Sequence, residues 1–144
     1  MDRRILLVED NPDDEALTLR ALRRNDVADY IDVARDGAEA IERLIGAGPH
    51  ADPLPQLILL DLKLRKVDGL EVLRRLRADD RTGLVPIIIL TSSDEESDLI
   101  ASYASGVNSY VRKPVDFARF DEAVRQLGLF WMVWNRPPPA REAS

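Results

Sequence analysis

The stretch LILLDLKLRKVDG, at residues 57–69, contains the feature that decides the fold. Its first four residues are apolar without the polar alternation of a half-exposed strand, and so is PIIIL at residues 86–90. Strands that are apolar on both faces are typical of a parallel sheet covered by helices on each side. Each run is followed at once by a polar residue, Asp61 after the first and Thr91 after the second. We therefore predict two central strands of an α/β fold.

Three further short apolar runs complete a set of five predicted strands. They are RILLV at 4–8, YIDVA at 30–34 and SYV at 109–111. The segments between the strands have helical spacing of apolar residues, and the last such segment runs from Phe117 towards Trp134. Five strands that alternate with five helices predict right-handed crossovers and a parallel sheet.

The bulk composition excludes several classes of protein. A length of 144 residues suits one compact domain, and the absence of cysteine excludes disulfides and thiolate chemistry. The net charge of −6 argues against a general nucleic-acid surface. Acidic residues follow the short apolar run at 5–8, so this is not a signal peptide, and no run is long enough for a membrane helix. We therefore expect a cytoplasmic protein with no nucleic-acid or membrane partner.

Charged and hydroxyl side chains follow four of the predicted strands. Glu9 and Asp10 follow the first strand, Asp61 the third, Thr91 the fourth and Lys113 the fifth. The carboxyl ends of parallel strands lie at one edge of a sheet, so we expect these groups to converge. A hard divalent cation such as Mg²⁺ would offset the repulsion between three carboxylates. A carboxylate can itself form an aspartyl-phosphate, and a lysine suits a phosphate oxygen.

Four motifs together resemble the receiver domain of a two-component response regulator, the chemotaxis-regulator fold. They are VED at 8–10, LLDLKL and DG within 59–69, ILTSS at 89–93 and SYVRKP at 109–114. The resemblance implies a flavodoxin-like, doubly wound (βα)5 sheet with strand order 2-1-3-4-5, and the apolar spacing beyond Phe117 predicts an extended C-terminal helix. We assign the receiver domain to residues 1–128, and a helical extension with a proline-rich tail to residues 129–144.

The resemblance also implies a phosphoacceptor and a set of metal ligands. Asp61 is the expected phosphoacceptor, and Mg²⁺ is the expected cofactor. Asp10 and Asp61 are expected to bind the metal directly and Glu9 through a water molecule. Lys63 is expected to supply its main-chain carbonyl. Arg65 stands where the family often has a proline, so we expect a less rigid and more basic loop.

Three further residues receive catalytic or switch roles from the resemblance. Thr91 is expected to bond a phosphoryl oxygen, and Lys113 is expected to pair with the phosphoryl group. In this family a cis peptide bond joins that lysine to the following proline, here Pro114. Tyr110 matches the aromatic residue that turns inward when Thr91 moves, although a half-buried strand aromatic is the alternative.

The C-terminal segment carries a sustained apolar stripe with spacings of 3, 4, 3, 4 and 3 residues. Its members are Phe117, Phe120, Val124, Leu127, Trp131 and Trp134. The surplus apolar surface predicts a symmetric homodimer with Phe130, Trp131 and Trp134 in the interface. The alternative is that LGLFWMVW folds back onto its own domain, with Gly128 allowing a bend. The segment LFWMVWNRPPP also resembles the tail of single-domain regulators that work with bacterial phytochrome histidine kinases.

We interpret the chain as a response regulator and not as an enzyme, with at most Mg²⁺-dependent self-phosphorylation and self-dephosphorylation. The donor is expected to be a sensor histidine kinase, with a bacteriophytochrome as one candidate, or a phosphotransfer protein. The single histidine, His50, lies in a proline-rich connection and does not suit that role. The main alternative is a receiver-like interaction module without phosphoryl turnover. An aspartyl-phosphate hydrolase would need an acid where Lys63 stands, and an FMN carrier would not have the acidic loop EDNPDDEA.

Overall fold

A computed structural model describes residues 3–46, 53–113, 116–136 and 138. The strands are β1 (Arg4–Val8), β2 (Tyr30–Ala34), β3 (Leu57–Leu60), β4 (Ile87–Thr91) and β5 (Ser109–Arg112). The helices are α1 (Pro12–Arg24), α2 (Gly37–Ile41), α3 (Gly69–Ala78), α4 (Glu96–Ala104) and α5 (Phe117–Gly128). Both α2 and α5 continue directly into π-helical turns, at Glu42–Gly46 and Leu129–Trp134. His50 and Pro114, with the peptide bond that precedes this proline, lie outside the described residues.

The five strands form one parallel sheet in the order β2-β1-β3-β4-β5, which confirms the predicted fold. Every residue of β3 and β4 is buried, as expected for strands with helices on both faces. β2 lies on one side of β1, whereas β3, β4 and β5 lie on the other, so the strand order reverses between β1 and β3. Ligands of open α/β sheets bind in the crevice at that point, beyond the carboxyl ends of the strands.

Alternate residues of the strands supply two separate hydrophobic layers. Ile58 and Leu60 of β3 face the layer that also contains Val72 and Leu73 of α3. Leu57 and Leu59 of the same strand face the opposite layer, which is completed by the following residues of α1 and α5: Ala21, Leu22, Phe120 and Val124. The sheet is therefore held from both sides, and the residues just beyond its strands have a rigid base.

Two local features bring helices close to the carboxyl edge of the sheet. The side-chain oxygen of Asn11 accepts hydrogen bonds from the backbone N–H groups of Asp13 and Asp14, at 2.9 and 3.1 Å, and so caps the first turn of α1. At Gly69 a Cβ atom would overlap the main-chain carbonyl of Asp61. Glycine therefore allows the start of α3 to lie directly against the residue that follows β3.

The C-terminal segment divides its apolar side chains between the domain and the solvent. Trp131 and Met132 pack against the layer formed with α1 and α5. The exposed apolar side chains of the π-helical turn are Leu129, Phe130, Val133 and Trp134. The predicted helical extension is present, but its hydrogen bonding changes to the wider π pattern after Gly128. Within the described part of the chain, no helix combines the length and the apolar character needed to span a bilayer.

Candidate functional site

The ammonium group of Lys113 joins three carboxylates at the carboxyl edge of the sheet. Its Nζ atom lies 3.0 Å from Glu9 Oε2 and 3.4 Å from Asp61 Oδ2. It also lies 3.2 Å from Asp14 Oδ2, in the first turn of α1. The Lys113 and Glu9 side chains are 9% and 2% exposed, so their ammonium and carboxyl groups interact with little screening by water.

The parallel hydrogen-bond ladder extends past the strands and holds three of these residues in place. The Glu9 N–H donates to the carbonyl of Ala34, just as Asp61 N–H donates to the carbonyl of Val8 at 3.1 Å. The N–H of Lys113 donates to the carbonyl of Thr91 at 2.7 Å. Because the backbone of each residue is fixed against a neighbouring strand, the convergence predicted from the strand ends is a property of the sheet.

The charges in this cluster shift the pKa values of two of its members. Burial raises the pKa of the Glu9 carboxyl to about 8, and the neighbouring Asp61 carboxylate contributes through a hydrogen bond and through its charge. Burial alone would lower the pKa of the Lys113 ammonium, but the charges of Asp61, Glu9 and Asp14 raise it overall. The site is thus a cluster of three carboxyl groups around one buried ammonium group.

Asp14 belongs to this cluster although the sequence analysis did not select it. One carboxylate oxygen from each of Glu9, Asp14 and Asp61 lies within 4.8 Å of the other two. Asp14 lies in an acidic first turn of α1, which suits the positive end of a helix dipole and so gave it a sufficient structural explanation. The available signal was its position one helical turn after Asp10, beside the end of β1.

Asp10 lies at the same edge, where its carboxylate contacts the loop that follows β3. Its Oδ2 atom accepts a hydrogen bond from the backbone N–H of Arg65 at 2.9 Å and lies 3.6 Å from Arg65 Nε. Lys63, which was expected to contribute its main-chain carbonyl, directs its side chain elsewhere, with the ammonium 3.6 Å from Asp98 Oδ2 on α4. The N–H of Lys63 does reach the site, where it donates to Asp61 Oδ1 at 3.3 Å.

The two predicted switch residues are linked through the loop after β4. Thr91 is fully buried, and its Oγ1 accepts a hydrogen bond from the N–H of Ser93 at 3.4 Å. The hydroxyl of Tyr110 donates to the carbonyl of the same Ser93 at 2.9 Å. The Ser93 hydroxyl donates to Asp98 Oδ2 at 2.7 Å, which connects this loop to α4. A movement of Thr91 would therefore disturb contacts of both Tyr110 and α4.

Comparisons with known proteins identify the family of the chain. Residues 5–125 match the family described as the response regulator receiver domain. The chain belongs to this family. Its members take part in two-component signalling, and acceptance of a phosphoryl group is the standard function of a receiver.

Several relatives of the chain are regulators associated with phytochromes. The response regulator Rcp1 of Synechocystis is 36% identical over 94% of this chain and 93% of its own length. The crystal structure of the phosphorylated cyanobacterial phytochrome response regulator RcpA is 35% identical, with a TM-score of 0.90 over 96% of this chain and all of that one. The bacteriophytochrome response regulator AtBRR is 48% identical, with a TM-score of 0.73 over 94% of this chain and 99% of its own.

Proposed function

We propose that Asp61 of this receiver accepts the phosphoryl group of a partner phosphohistidine. The observation that carries the proposal is the contact of Asp61 Oδ2 with the buried ammonium of Lys113, at 3.4 Å. A carboxylate oxygen of Asp61 would attack phosphorus, an O–P bond would form and the P–N bond to histidine would break. The histidine nitrogen leaves with the bonding electron pair. Lys113 is then placed to neutralise an oxygen of the transferred group.

The residues at this edge fit a divalent cation, and Mg²⁺ is the proposed cofactor. The carboxylates of Glu9 and Asp61 are hard oxygen ligands that converge in one acidic cluster, and Asp10 lies at the same edge. The main-chain carbonyl of Lys63 completes the proposed ligand set, and Asp14 is a further carboxylate within reach. When bound, the cation would reduce the repulsion between the carboxylates and the incoming phosphoryl oxygens. The related Rcp1 has been solved in a Mn²⁺-bound form.

The proposed output of phosphorylation is a change in the surface near α4 and β5. Thr91 would bond a phosphoryl oxygen through its hydroxyl, which now accepts from the N–H of Ser93. Loss of that contact would free the Ser93 loop, to which the Tyr110 hydroxyl is bonded. A ligand or modification can shift such an equilibrium only through different contacts in the two states. The Thr91–Ser93–Tyr110 contacts are the proposed difference.

A sensor histidine kinase, or a phosphotransfer protein, is the proposed phosphodonor. Support for a phytochrome-type kinase comes from the 48% identity with AtBRR and the similarity to RcpA over 96% of this chain. We place this exchange in the cytoplasm, and we propose residues 1–128 as the unit that carries it out.

A homodimer through the C-terminal extension is the proposed assembly. Phe130 and Trp134 are 52% and 70% exposed, whereas Trp131 packs partly on its own domain and would contribute less surface. Replacing both exposed aromatics with serine should weaken dimerisation at least tenfold, because buried aromatic anchors dominate such interfaces and a tenfold change corresponds to about 1.4 kcal/mol. Sedimentation equilibrium measures the change. Leu84→Ser, which removes another half-exposed apolar side chain, is the matched control, and an equal effect there would contradict the proposed interface.

The phosphorylation proposal is tested by intact-mass spectrometry after incubation with acetyl phosphate and Mg²⁺. We expect a single phosphoryl adduct on the wild-type chain that is absent after Asp61→Asn or when EDTA removes the metal. Asp68→Asn is the control, because Asp68 follows the same strand but caps α3. Absence of an adduct from the wild type with every donor, including a partner kinase, would favour the interaction module without phosphoryl turnover.

A further inference from the structure

Arg65 and Lys113 divide the carboxylates of the site between them. Lys113 contacts Glu9, Asp14 and Asp61, as described above. Asp10 is contacted by Arg65, whose backbone N–H and guanidinium approach the same Oδ2 atom at 2.9 and 3.6 Å. The Nη2 atom of Arg65 also lies 3.5 Å from the main-chain oxygen of Asp10. Two side-chain cations of the protein itself therefore pair with the carboxylates to which a divalent cation would bind.

The backbone of Arg65 is held on both sides, although its side chain is 74% exposed. Its carbonyl accepts hydrogen bonds from the N–H groups of Val67 and Gly37, at 2.9 and 3.4 Å. Its N–H donates a hydrogen bond to Asp10 Oδ2. An exposed ion pair is normally worth little because both side chains must be ordered. Here the loop already supplies much of that order, and the Asp10 side chain is only 16% exposed.

We propose that Arg65 is a built-in competitor of the divalent cation for Asp10 and thereby weakens cation binding by this receiver. The inference rests on the proposed function, because it concerns the cation of that same site. The Asp10 oxygen that accepts the Arg65 N–H and forms an ion pair with the Arg65 guanidinium has to release the guanidinium to coordinate a metal. The guanidinium that remains nearby repels a divalent ion. Arg65 is thus a positioning residue, because it contacts Asp10, a proposed ligand, and does not itself bind the cation.

Two lysines of the same loop provide a comparison within the structure. Lys63 and Lys66 also pair with acids of other elements, Asp98 at 3.6 Å and Asp36 at 3.3 Å. Asp36 caps α2 through the N–H of Glu39 and is not part of the carboxylate cluster. A change at Lys66 therefore removes one positive charge from the loop while leaving Asp10 and Arg65 in place.

Isothermal titration calorimetry of the full chain with MgCl₂ tests this inference. Intrinsic fluorescence is less suitable because both tryptophans lie in the C-terminal segment. We expect Arg65→Gln, which keeps the N–H donor and removes the charge, to lower the Mg²⁺ dissociation constant roughly three- to tenfold, since charges a few ångströms apart interact by about 1 kcal/mol in water. Arg65→Lys and Lys66→Gln should each remain within about twofold of the wild type.

Three outcomes would overturn the inference. If Arg65→Gln binds Mg²⁺ as tightly as the wild type or more weakly, Arg65 does not compete with the cation. If Lys66→Gln tightens binding as much as Arg65→Gln, the effect belongs to the charge of the whole loop. If the wild type and all variants bind no Mg²⁺, the inference fails together with the proposed cofactor. A separate failure of the phosphoryl adduct with normal Mg²⁺ binding would contradict only the proposed function.

Discussion

Two partly buried cations at opposite edges of the sheet have opposite kinds of partner. Arg77, at the end of α3, lies at the amino edge and donates to neutral oxygens. Its acceptors are the carbonyls of Gly83, Val85 and Gly106 and the side-chain oxygen of Asn108, at 3.2, 2.7, 2.7 and 2.7 Å. Lys113, at the carboxyl edge, is surrounded by three carboxylates.

The amino edge, with Arg77, therefore stabilises the fold. The carboxyl edge, with Lys113, has the cluster of acidic groups that the proposed reaction requires. Burial lowers the pKa of Arg77, and its positive charge is stabilised by four neutral oxygen acceptors and not by carboxylates. The carboxylates around Lys113 exceed its single positive charge, and the pKa of Glu9 is raised as a result of burial and of Asp61. Such an excess of negative charge costs stability unless a further cation binds. The two edges should therefore respond differently to Mg²⁺.

The largest expected effect follows the loss of the cation at the acidic edge. Lys113→Met should lower the free energy of unfolding by about 3 kcal/mol in EDTA, because buried carboxylates lose their counter-ion. Added Mg²⁺ should restore a substantial part of that loss, since a bound cation supplies positive charge to the same oxygens. Urea unfolding followed by circular dichroism, with EDTA and with MgCl₂, measures both values. A loss that is equal in the two conditions would show that the carboxylates are not the cause.

Arg77→Met provides the matching change at the amino edge and should have a somewhat smaller effect. We expect a loss of about 2 kcal/mol, because several carbonyls lose a charged donor but remain partly accessible to water. Mg²⁺ should leave this loss unchanged, and the phosphoryl adduct on Asp61 should still form. If Mg²⁺ restored the free energy of unfolding of Arg77→Met as fully as that of Lys113→Met, the proposed difference between the two edges would be contradicted.

The sheet and its edge were predictable because apolar runs and their final residues are local features of the sequence. The predicted strands agree with β1, β2 and β3 at both ends, and with β4 and β5 within one residue. The backbone ladder then places Glu9, Asp61 and Lys113 together without further information. The change to π-helical turns was not predictable, because apolar spacing does not distinguish hydrogen bonds four residues apart from those five apart.

Partners chosen by tertiary contacts were harder to predict than strand ends. Asp14 fitted the acidic first turn of a helix, so its contact with Lys113 gave no separate signal in the sequence. Arg65 was recognised as a departure from the family pattern, but its contact with Asp10 depends on a loop geometry that spacing does not encode. Arg77 lies on a helix with two other basic residues, Arg74 and Arg75, and nothing in its spacing indicates the carbonyls that surround it.

The smallest of these effects concerns β5 and the residue before it, which form polar contacts at the two edges of the sheet. The side-chain oxygen of Asn108, just before the strand, accepts from Arg77 and from the N–H of Ile87, whereas the Tyr110 hydroxyl donates to the Ser93 carbonyl. Tyr110→Phe should lower the free energy of unfolding by about 1 kcal/mol, because a single neutral hydrogen bond is lost.

The matched control for that change is Tyr103→Phe on α4, whose side chain is about half exposed and which should alter stability by less than about 0.5 kcal/mol. Urea unfolding of unphosphorylated protein measures both variants. Repeating the measurement after phosphorylation sharpens the result, because movement of Thr91 would already have released the Ser93 loop. The cost of Tyr110→Phe should then shrink towards that of the control. An undiminished cost in the phosphorylated protein would mean that the Tyr110–Ser93 contact belongs, like those of Arg77, to the stability of the fold and not to its switch.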